Sequence, residues 1–441
     1  MAAIDLLPYV RAIETTDPMK VYGLVTELTG IIIKATGVKA SIGESCKILS
    51  EKLELDAEVV GFRDGKVLLM AVGDLSGVKA GSRVIPIGKK VSVGVSSSLV
   101  GRVVNDRGEP IDGKGPVYGA EYPLYTSTPH PLKRRRISEP IDLGIRSING
   151  LLTCGKGQRI GIMAGSGVGK SVLLGMMARY TAASVNVIAM IGERGREVRE
   201  FIEKDLGEEG MKKSVIVVST SEQPPLAKVR GALAATAIAE YFRDQGMDVL
   251  LLMDSLTRVA MAQREIGLAT GEPPTAKGYT PSVFALLPKL LERVGTSEGA
   301  GSITGIYTVL VEGDDLSEPV ADSARAILDG HIVLSRDLAM EGHYPAIDVL
   351  QSISRVMPDI AGARHKELAA QFMETMAVFK KVEDMINLGA YKEGSNAKID
   401  NAVRMIDKLR GYLRQGMNER RDMGDSLQGL SFLFEGAESK A

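Results

Sequence analysis

The octapeptide Ala164-Gly-Ser-Gly-Val-Gly-Lys-Ser171 sits between an apolar run, Arg159–Met163, and a helix-compatible stretch, Val172–Tyr180. A glycine-rich turn of this kind restricts the chain to an α/β architecture, because it needs a buried strand feeding directly into a helix. In such a turn consecutive backbone N–H groups converge on an anion, and the helix dipole adds favourable positive potential. Lys170 can reach the β- and γ-phosphates, and the Ser171 hydroxyl can ligate Mg²⁺. Ala164, Gly165, Ser166, Gly167, Val168, Gly169, Lys170, Ser171 and Val172 are thus the expected nucleotide-binding residues. The first is alanine where the pattern G-x-x-x-x-G-K-[ST] has glycine, which is tolerable if that position does not need a positive φ. The chain is expected to bind a nucleoside triphosphate.

The rest of the chain organises around this loop. From Pro140 to about Arg355, apolar runs at Val185–Ile191, Ser214–Ser219, Val249–Met253, Ser302–Val311 and His331–Ser335 alternate with helical stretches at Glu197–Leu206, Lys228–Gln245 and Pro281–Val294. That alternation predicts a mainly parallel sheet covered on both faces. Between Lys20 and Ser92, short β-rich runs at Val21–Leu28, Ile31–Ala35, Cys46–Leu49, Glu58–Phe62 and Lys66–Met70 predict a small β-barrel. Barrels that grip single-stranded nucleic acid need aromatic platforms, and this one offers Tyr22 and Phe62. A structural or oligomerising barrel is therefore expected. Residues 93–128, rich in Gly, Pro and Asp, read as a connector.

Beyond Asp359 the pattern turns helical. Leu368, Phe372, Met376, Phe379, Val382 and Ile386 follow a helical period, with Gly389 placed to stop it. Ile399, Val403, Ile406, Leu409 and Leu413 repeat it, and Leu427, Leu430 and Phe434 mark a shorter segment. A helical bundle is expected there.

A net charge of −1 over 441 residues leaves no global field to recruit nucleic acid or acidic lipid. Two cysteines at unrelated positions and four histidines give neither a disulfide framework nor a zinc spacing, which points to a reducing cytoplasm. No run of eighteen apolar residues predicts a membrane span, and the N-terminus lacks the signal-peptide pattern. Its Ile4, Leu7, Val10 and Ile13 share a helical face, which suits either a frayed end or a docking peptide. Lys133-Arg-Arg-Arg136 suits either a solvated turn or a phosphate or partner contact.

Two strand ends carry candidate chemistry. Val249–Asp254 is an apolar strand ending in a carboxylate, placed to hold Mg²⁺ beside Ser171. A second strand runs into Gly192-Glu-Arg-Gly-Arg-Glu197, where a carboxylate can polarise an attacking water and an arginine can meet the γ-phosphate. On composition alone, Glu193 could equally pair with Arg194 or Arg196.

Taken together, Ala164–Ser171, Gly192–Arg194, Leu251–Arg258 and Pro345-Ala-Ile-Asp-Val-Leu-Gln-Ser-Ile-Ser354 resemble the α/β-subunit family of rotary ATP synthases, whose loop tolerates alanine at its first position. Within that family Gly165–Tyr180, Ile191–Glu203, Ser221–Pro225 and Gly271–Phe284 are most similar to the ATPases of type III export, the flagellar branch ahead of the virulence-secretion branch. The resemblance implies an α/β multidomain chain: a docking segment over 1–18, a small N-terminal β-barrel over 19–92, a central RecA-like P-loop ATPase over 93–360 and a C-terminal helical bundle over 361–441. It implies Mg²⁺-dependent ATP hydrolysis, with Glu193 as general base, Lys170 and Arg194 at the γ-phosphate, and Ser171 and Asp254 at the metal. It implies Arg355 as an arginine finger for a neighbouring subunit and Tyr344 as an adenine-stacking ring, or else a packed aromatic. Lys228 stands where the synthase catalytic subunit has an arginine, and the two are not equivalent at a bidentate site.

The implied assembly is a homohexamer in the cytoplasm, peripheral to the inner membrane. Its implied partners are a stator-like regulator at the N-terminus, a coiled-coil central stalk protein, export chaperone–substrate complexes and the membrane export gate, with no nucleic acid. Gly271–Phe284 suits a pore-facing or an ordinary surface loop. Alternatives are a virulence type III secretion ATPase, the catalytic subunit of a rotary synthase, an RNA-translocating helicase and a non-catalytic nucleotide-binding subunit.

Overall fold

The computed structural model describes residues 6, 21–51, 53–311, 313 and 315–435. The expected docking segment, apart from Leu6, lies outside the described residues. Packing separates two compact units, one formed by residues up to Val91 with Leu268–Glu272, the other by Ser92–Gly267 and the residues from Pro273 onward.

In the first unit β1 (Gly23–Thr29), β2 (Ile32–Thr36), β3 (Glu44–Ser50), β4 (Leu53–Arg63), β5 (Lys66–Ala71) and β6 (Arg83–Lys90) close in the order β1-β2-β5-β4-β3-β6. Alternate residues point inward, as the two-residue strand period requires. Cys46 and Ile48 of β3, Ala57 and Val59 of β4, and Val67 and Leu69 of β5 form the core with Ile33 and Val84. Closure pairs every strand on both sides and leaves no edge to recruit another chain. Five of the strands are legible in the sequence; β6 is not, because it contains Pro86 and buries Val84 alone. Tyr22 and Phe62 are exposed, and the Arg83 guanidinium lies 5.1 Å from the Tyr22 ring centroid.

In the second unit β7 (Ser92–Val95) and β9 (Ala120–Pro123) form a ribbon. The main sheet takes β8 (Val103–Val104), β10 (Arg159–Ala164), β11 (Val185–Ile191), β12 (Ser214–Ser219), β13 (Asp248–Asp254), β14 (Gly295–Thr296), β15 (Ser302–Leu310), β16 (Gly330–Leu334) and β17 (Ile347–Ser354). Its order is β17-β16-β10-β15-β13-β11-β12-β8, with β14 on β15. All neighbours run parallel except β16 with β17 and β14 with β15. The central strands are buried along their length, save Asp248 at the start of β13 and Leu310 at the end of β15, as a sheet with helices on both faces demands.

Three elements differ from the sequence reading. Residues 93–128 are more than a connector, since β8 extends the sheet edge; a two-residue strand is too short to show a period. The helix expected from Lys228 begins at Pro225, which occupies the first turn where a missing N–H costs nothing. The stretch Glu197–Leu206 is a helix, Gly195–Glu200, continued by a π-helical turn, Phe201–Leu206.

The C-terminal helices Ala363–Asn387, Ala397–Leu413 and Met423–Glu435 place Leu368, Phe372, Leu409, Leu413, Leu430 and Phe434 in one core with Ile145, Ile148 and Ile160. Val403, expected on the buried stripe, is 38% exposed. Ala402 and Met405 are buried in its stead, so the helix turns a small side chain toward its neighbours.

The basic run is a structural staple. Lys133 pairs with Glu298 at 3.2 Å, Arg134 donates to the Val294 carbonyl at 3.0 Å, and Arg135 donates to the Gly301 carbonyl at 3.2 Å.

Candidate functional site

The parallel strands β10, β15, β13 and β11 are consecutive in the sheet, so their C-terminal ends open onto one edge, where α/β proteins bind ligands. The phosphate loop leaves β10 at the buried Ala164 and enters the helix Lys170–Tyr180. Gly167 and Gly169 have φ of 78° and 85°, a region that side-chain-bearing residues avoid. Ala164 is not among the positive-φ residues, which is why alanine fits there. A β-carbon on Gly169 would lie 3.3 Å from Cε1 of Tyr344. Tyr344 therefore flanks the loop, with 46% of its surface open for a stacking partner.

Lys170 gathers the two strand-end carboxylates. Its Nζ donates to Asp254 Oδ1 at 2.5 Å and lies 3.7 Å from Glu193 Oε1. Asp254 is 2% exposed and also accepts from Thr308 Oγ1 of β15 at 2.7 Å. Such a carboxylate, with the Ser171 hydroxyl one residue past Lys170, is the all-oxygen donor set that Mg²⁺ takes beside a phosphate chain. The residues fit that ion.

Glu193 follows β11 and is half-buried. Burial, then the negative charge of Asp254, pushes its carboxyl up to about 7, against the opposing pull of Lys170; a hydrogen bond with Glu197 adds to the rise. A carboxylate poised near neutrality is suited to take a proton from water. Arg194, by contrast, points outward: its side chain is 76% exposed and pairs with Glu197 at 3.1 Å. Lys228 is half-buried in the first turn of the helix after β12, on the same sheet edge.

The sequence reading named no role for several residues that the fold brings to the loop. A cleft of about 600 Å³ opens beside Ala164–Ser166 and is lined by Arg258, Arg264, Lys277 and Tyr279. Arg258 lies four residues after Asp254, in the first turn of the helix Leu256–Thr270, and its Nε is buried with no hydrogen-bond partner among the described residues. The spacing Asp-x-x-x-Arg at a strand-to-helix junction is the signal that could have flagged it. Arg264 stacks over Tyr279 at 5.2 Å, so part of the Gly271–Phe284 segment faces this cleft.

Arg355 is elsewhere. Its backbone N–H donates to the Asp329 carbonyl at 3.0 Å, and the Asp329 N–H donates to the Arg159 carbonyl at 2.8 Å. Arg355 thus sits at the entry end of β10 and the phosphate loop at the exit. At about 3.3 Å per residue, the six residues of β10 put about 20 Å between them. Within one copy the arginine does not reach the loop.

Comparison with known proteins places these features. The ATP synthase alpha/beta family nucleotide-binding domain matches residues 144–354, the beta-barrel domain of that family matches 25–88, and the T3SS EscN ATPase C-terminal domain matches 361–431. The flagellum-specific ATP synthase of Bacillus subtilis is 52% identical over 96% of this chain and 98% of its own length. The assembled ATPase EscN of the enteropathogenic E. coli type III secretion system superposes with a TM-score of 0.89 at 44% identity, covering 93% of this chain and 99% of that one. EscN in complex with its central stalk EscO gives 0.86 at 43% identity, with coverage of 93% and 99%.

Proposed function

The chain belongs to the ATP synthase alpha/beta family, in the group of flagellum-specific and type III secretion ATPases, and on that premise we propose that it is a homohexameric, Mg²⁺-dependent ATPase that energises export of flagellar proteins. The observation that carries hydrolysis is Lys170 held between Asp254 and Glu193 on the ligand-binding edge of the sheet. The flagellar branch is favoured by 52% identity to the flagellum-specific relative of Bacillus subtilis against 48% to the type 3 secretion system ATPase of Xanthomonas euvesicatoria.

Each step follows from this chain's own groups. The N–H groups of Gly165–Ser171 and Lys170 Nζ bind the phosphate chain, so ATP takes the place of Asp254 as the principal partner of Lys170. Ser171 and Asp254 are the residues that would hold Mg²⁺, which when bound neutralises developing charge on the phosphates. Glu193, freed from Lys170, orients a water and accepts its proton. Arg194 is the candidate for a γ-phosphate contact on turning inward from Glu197. Tyr344 offers its ring to the adenine. Arg355, remote from its own loop, completes the site of a neighbouring copy.

The assembly reading draws on EscN, solved as an assembled ATPase and with its central stalk EscO. A ring with a coiled-coil stalk protein in its centre is the corresponding arrangement here. A stator-like regulator at the N-terminal segment, chaperone–substrate complexes, the membrane export gate and a cytoplasmic site beside the inner membrane complete the proposal. None of the helices among the described residues is long and apolar enough to cross a membrane.

Specific activity should rise steeply with protein concentration over the range in which sedimentation shows ring formation. Full activity in a monodisperse monomer would overturn the ring reading. A second outcome concerns acidity. Because Glu193 must be deprotonated to accept a proton, kcat/KM should fall as pH drops through about 7 and level off above it. A profile flat from about pH 6 to 8 would remove Glu193 from the role of base.

A further inference from the structure

Arg355 does not stand alone at the entry end of β10. Its guanidinium donates from Nη1 to the Leu328 carbonyl and from Nη2 to the Arg325 carbonyl, both at 3.3 Å. These carbonyls close the last turn of the helix Pro319–Ile327, and that turn also carries the Arg325 side chain. The Arg355 guanidinium therefore caps the C-terminus of a helix whose last turn carries Arg325, where the negative end of the dipole favours positive charge.

Neither arginine makes an ion pair with a carboxylate among the described residues. Others in the same unit do: Arg102 is bidentate on Asp112, Arg159 on Asp329 and Arg293 on Glu240. The Arg325 Nε is buried with no hydrogen-bond partner among the described residues. Burial, and after it the charge of Arg325 with a smaller share from Arg355, holds the nearby His331 below its ordinary range. Arg355 is exposed and neither guanidinium is neutralised by a carboxylate among the described residues, so both charges remain available to an incoming anion. Planar guanidinium forks are matched to phosphate oxygens. The chain's own phosphate loop lies at the far end of β10, so a nucleotide phosphate that meets these arginines would be one bound by another copy.

We propose that Arg325 is a second trans-acting arginine, which together with Arg355 contacts the phosphate chain bound by the neighbouring subunit. The proposal rests on the reading that Arg355 completes a neighbour's site.

The test uses the full chain with Arg325→Gln and Arg325→Lys, each checked for ring assembly by sedimentation. Turnover per assembled ring should fall about 10- to 100-fold for Arg325→Gln, the worth of one charge-assisted hydrogen bond. Arg325→Lys should recover part of it, since it keeps the charge but loses the fork. Arg325→Gln chains mixed with Glu193→Gln chains should regain activity above the sum of the two, and mixed with Arg355→Ala chains they should not. Per-ring turnover within about twofold of the parent, including a case where assembly alone weakens, overturns the proposal. So does failure to complement Glu193→Gln when Arg355→Ala complements it. If Arg355→Ala and Glu193→Gln fail to complement in rings shown to contain both, the shared-site reading has itself failed and Arg325 falls with it.

Discussion

Arg355→Ala will lower ATP turnover by about 10³- to 10⁵-fold, the usual worth of an arginine finger, and leave nucleotide binding nearly unchanged. At about 1.4 kcal/mol per decade this is roughly 4–7 kcal/mol of barrier. The split between binding and turnover follows from where the residue sits. In one copy the guanidinium rests on two backbone carbonyls at the entry end of β10, while the loop, Lys170 and Asp254 occupy the exit. Removing it leaves that copy's own binding groups intact. It does not create a buried unpaired charge, because Arg355 is exposed and has no carboxylate partner among the described residues. The variant should fold and assemble. Equilibrium binding of a fluorescent ATP analogue beside single-turnover hydrolysis separates the two quantities. A loss of affinity matching the loss of turnover would mean that Arg355 holds structure rather than charge.

The second large effect is expected at Glu193. Glu193→Gln keeps the size of the side chain and removes its capacity to accept a proton, so hydrolysis should drop by about 10²- to 10⁴-fold. Binding should be retained or tightened, because the amide no longer competes with phosphate for Lys170, 3.7 Å away. The acid limb of the pH profile should vanish with it, since Glu193 is the group near the loop whose carboxyl is raised toward neutrality. A variant that kept full turnover would remove Glu193 from the role of general base.

How much of this was legible in advance differs by element. The phosphate loop and the Asp254 strand end were readable because their chemistry is local: glycine spacing, an apolar run and a terminal carboxylate lie within a few residues of one another. The barrel was legible through its alternation, and β6 escaped because Pro86 and Gly88 break the period while antiparallel pairing with β1 and β3 holds the strand in place. Val403 lies outside the core because a helical period allows two adjacent faces, and tertiary packing selects the one with the small side chain of Ala402. Thr308 carries no local signal of a site role, and Arg258 carries only its spacing from Asp254. One reaches Asp254 from a neighbouring strand, and the other lines a cleft with residues as far off in sequence as Ala164 and Arg336. Sheet order, rather than any local pattern, brings them together. The basic run at Lys133–Arg136 could not be resolved from composition, because stapling to backbone carbonyls and binding an external anion call for the same residues.

On the proposed reading each catalytic site is made by two copies, Glu193 from one and Arg355 from the next. The direct measurement is ATPase activity in rings assembled from equal amounts of Glu193→Gln and Arg355→Ala chains, with co-assembly verified by differently tagged subunits. Random mixing gives about one interface in four an intact Glu193 facing an intact Arg355, so activity well above either variant alone is predicted. Mixed rings that remain as inactive as their parents would contradict the claim.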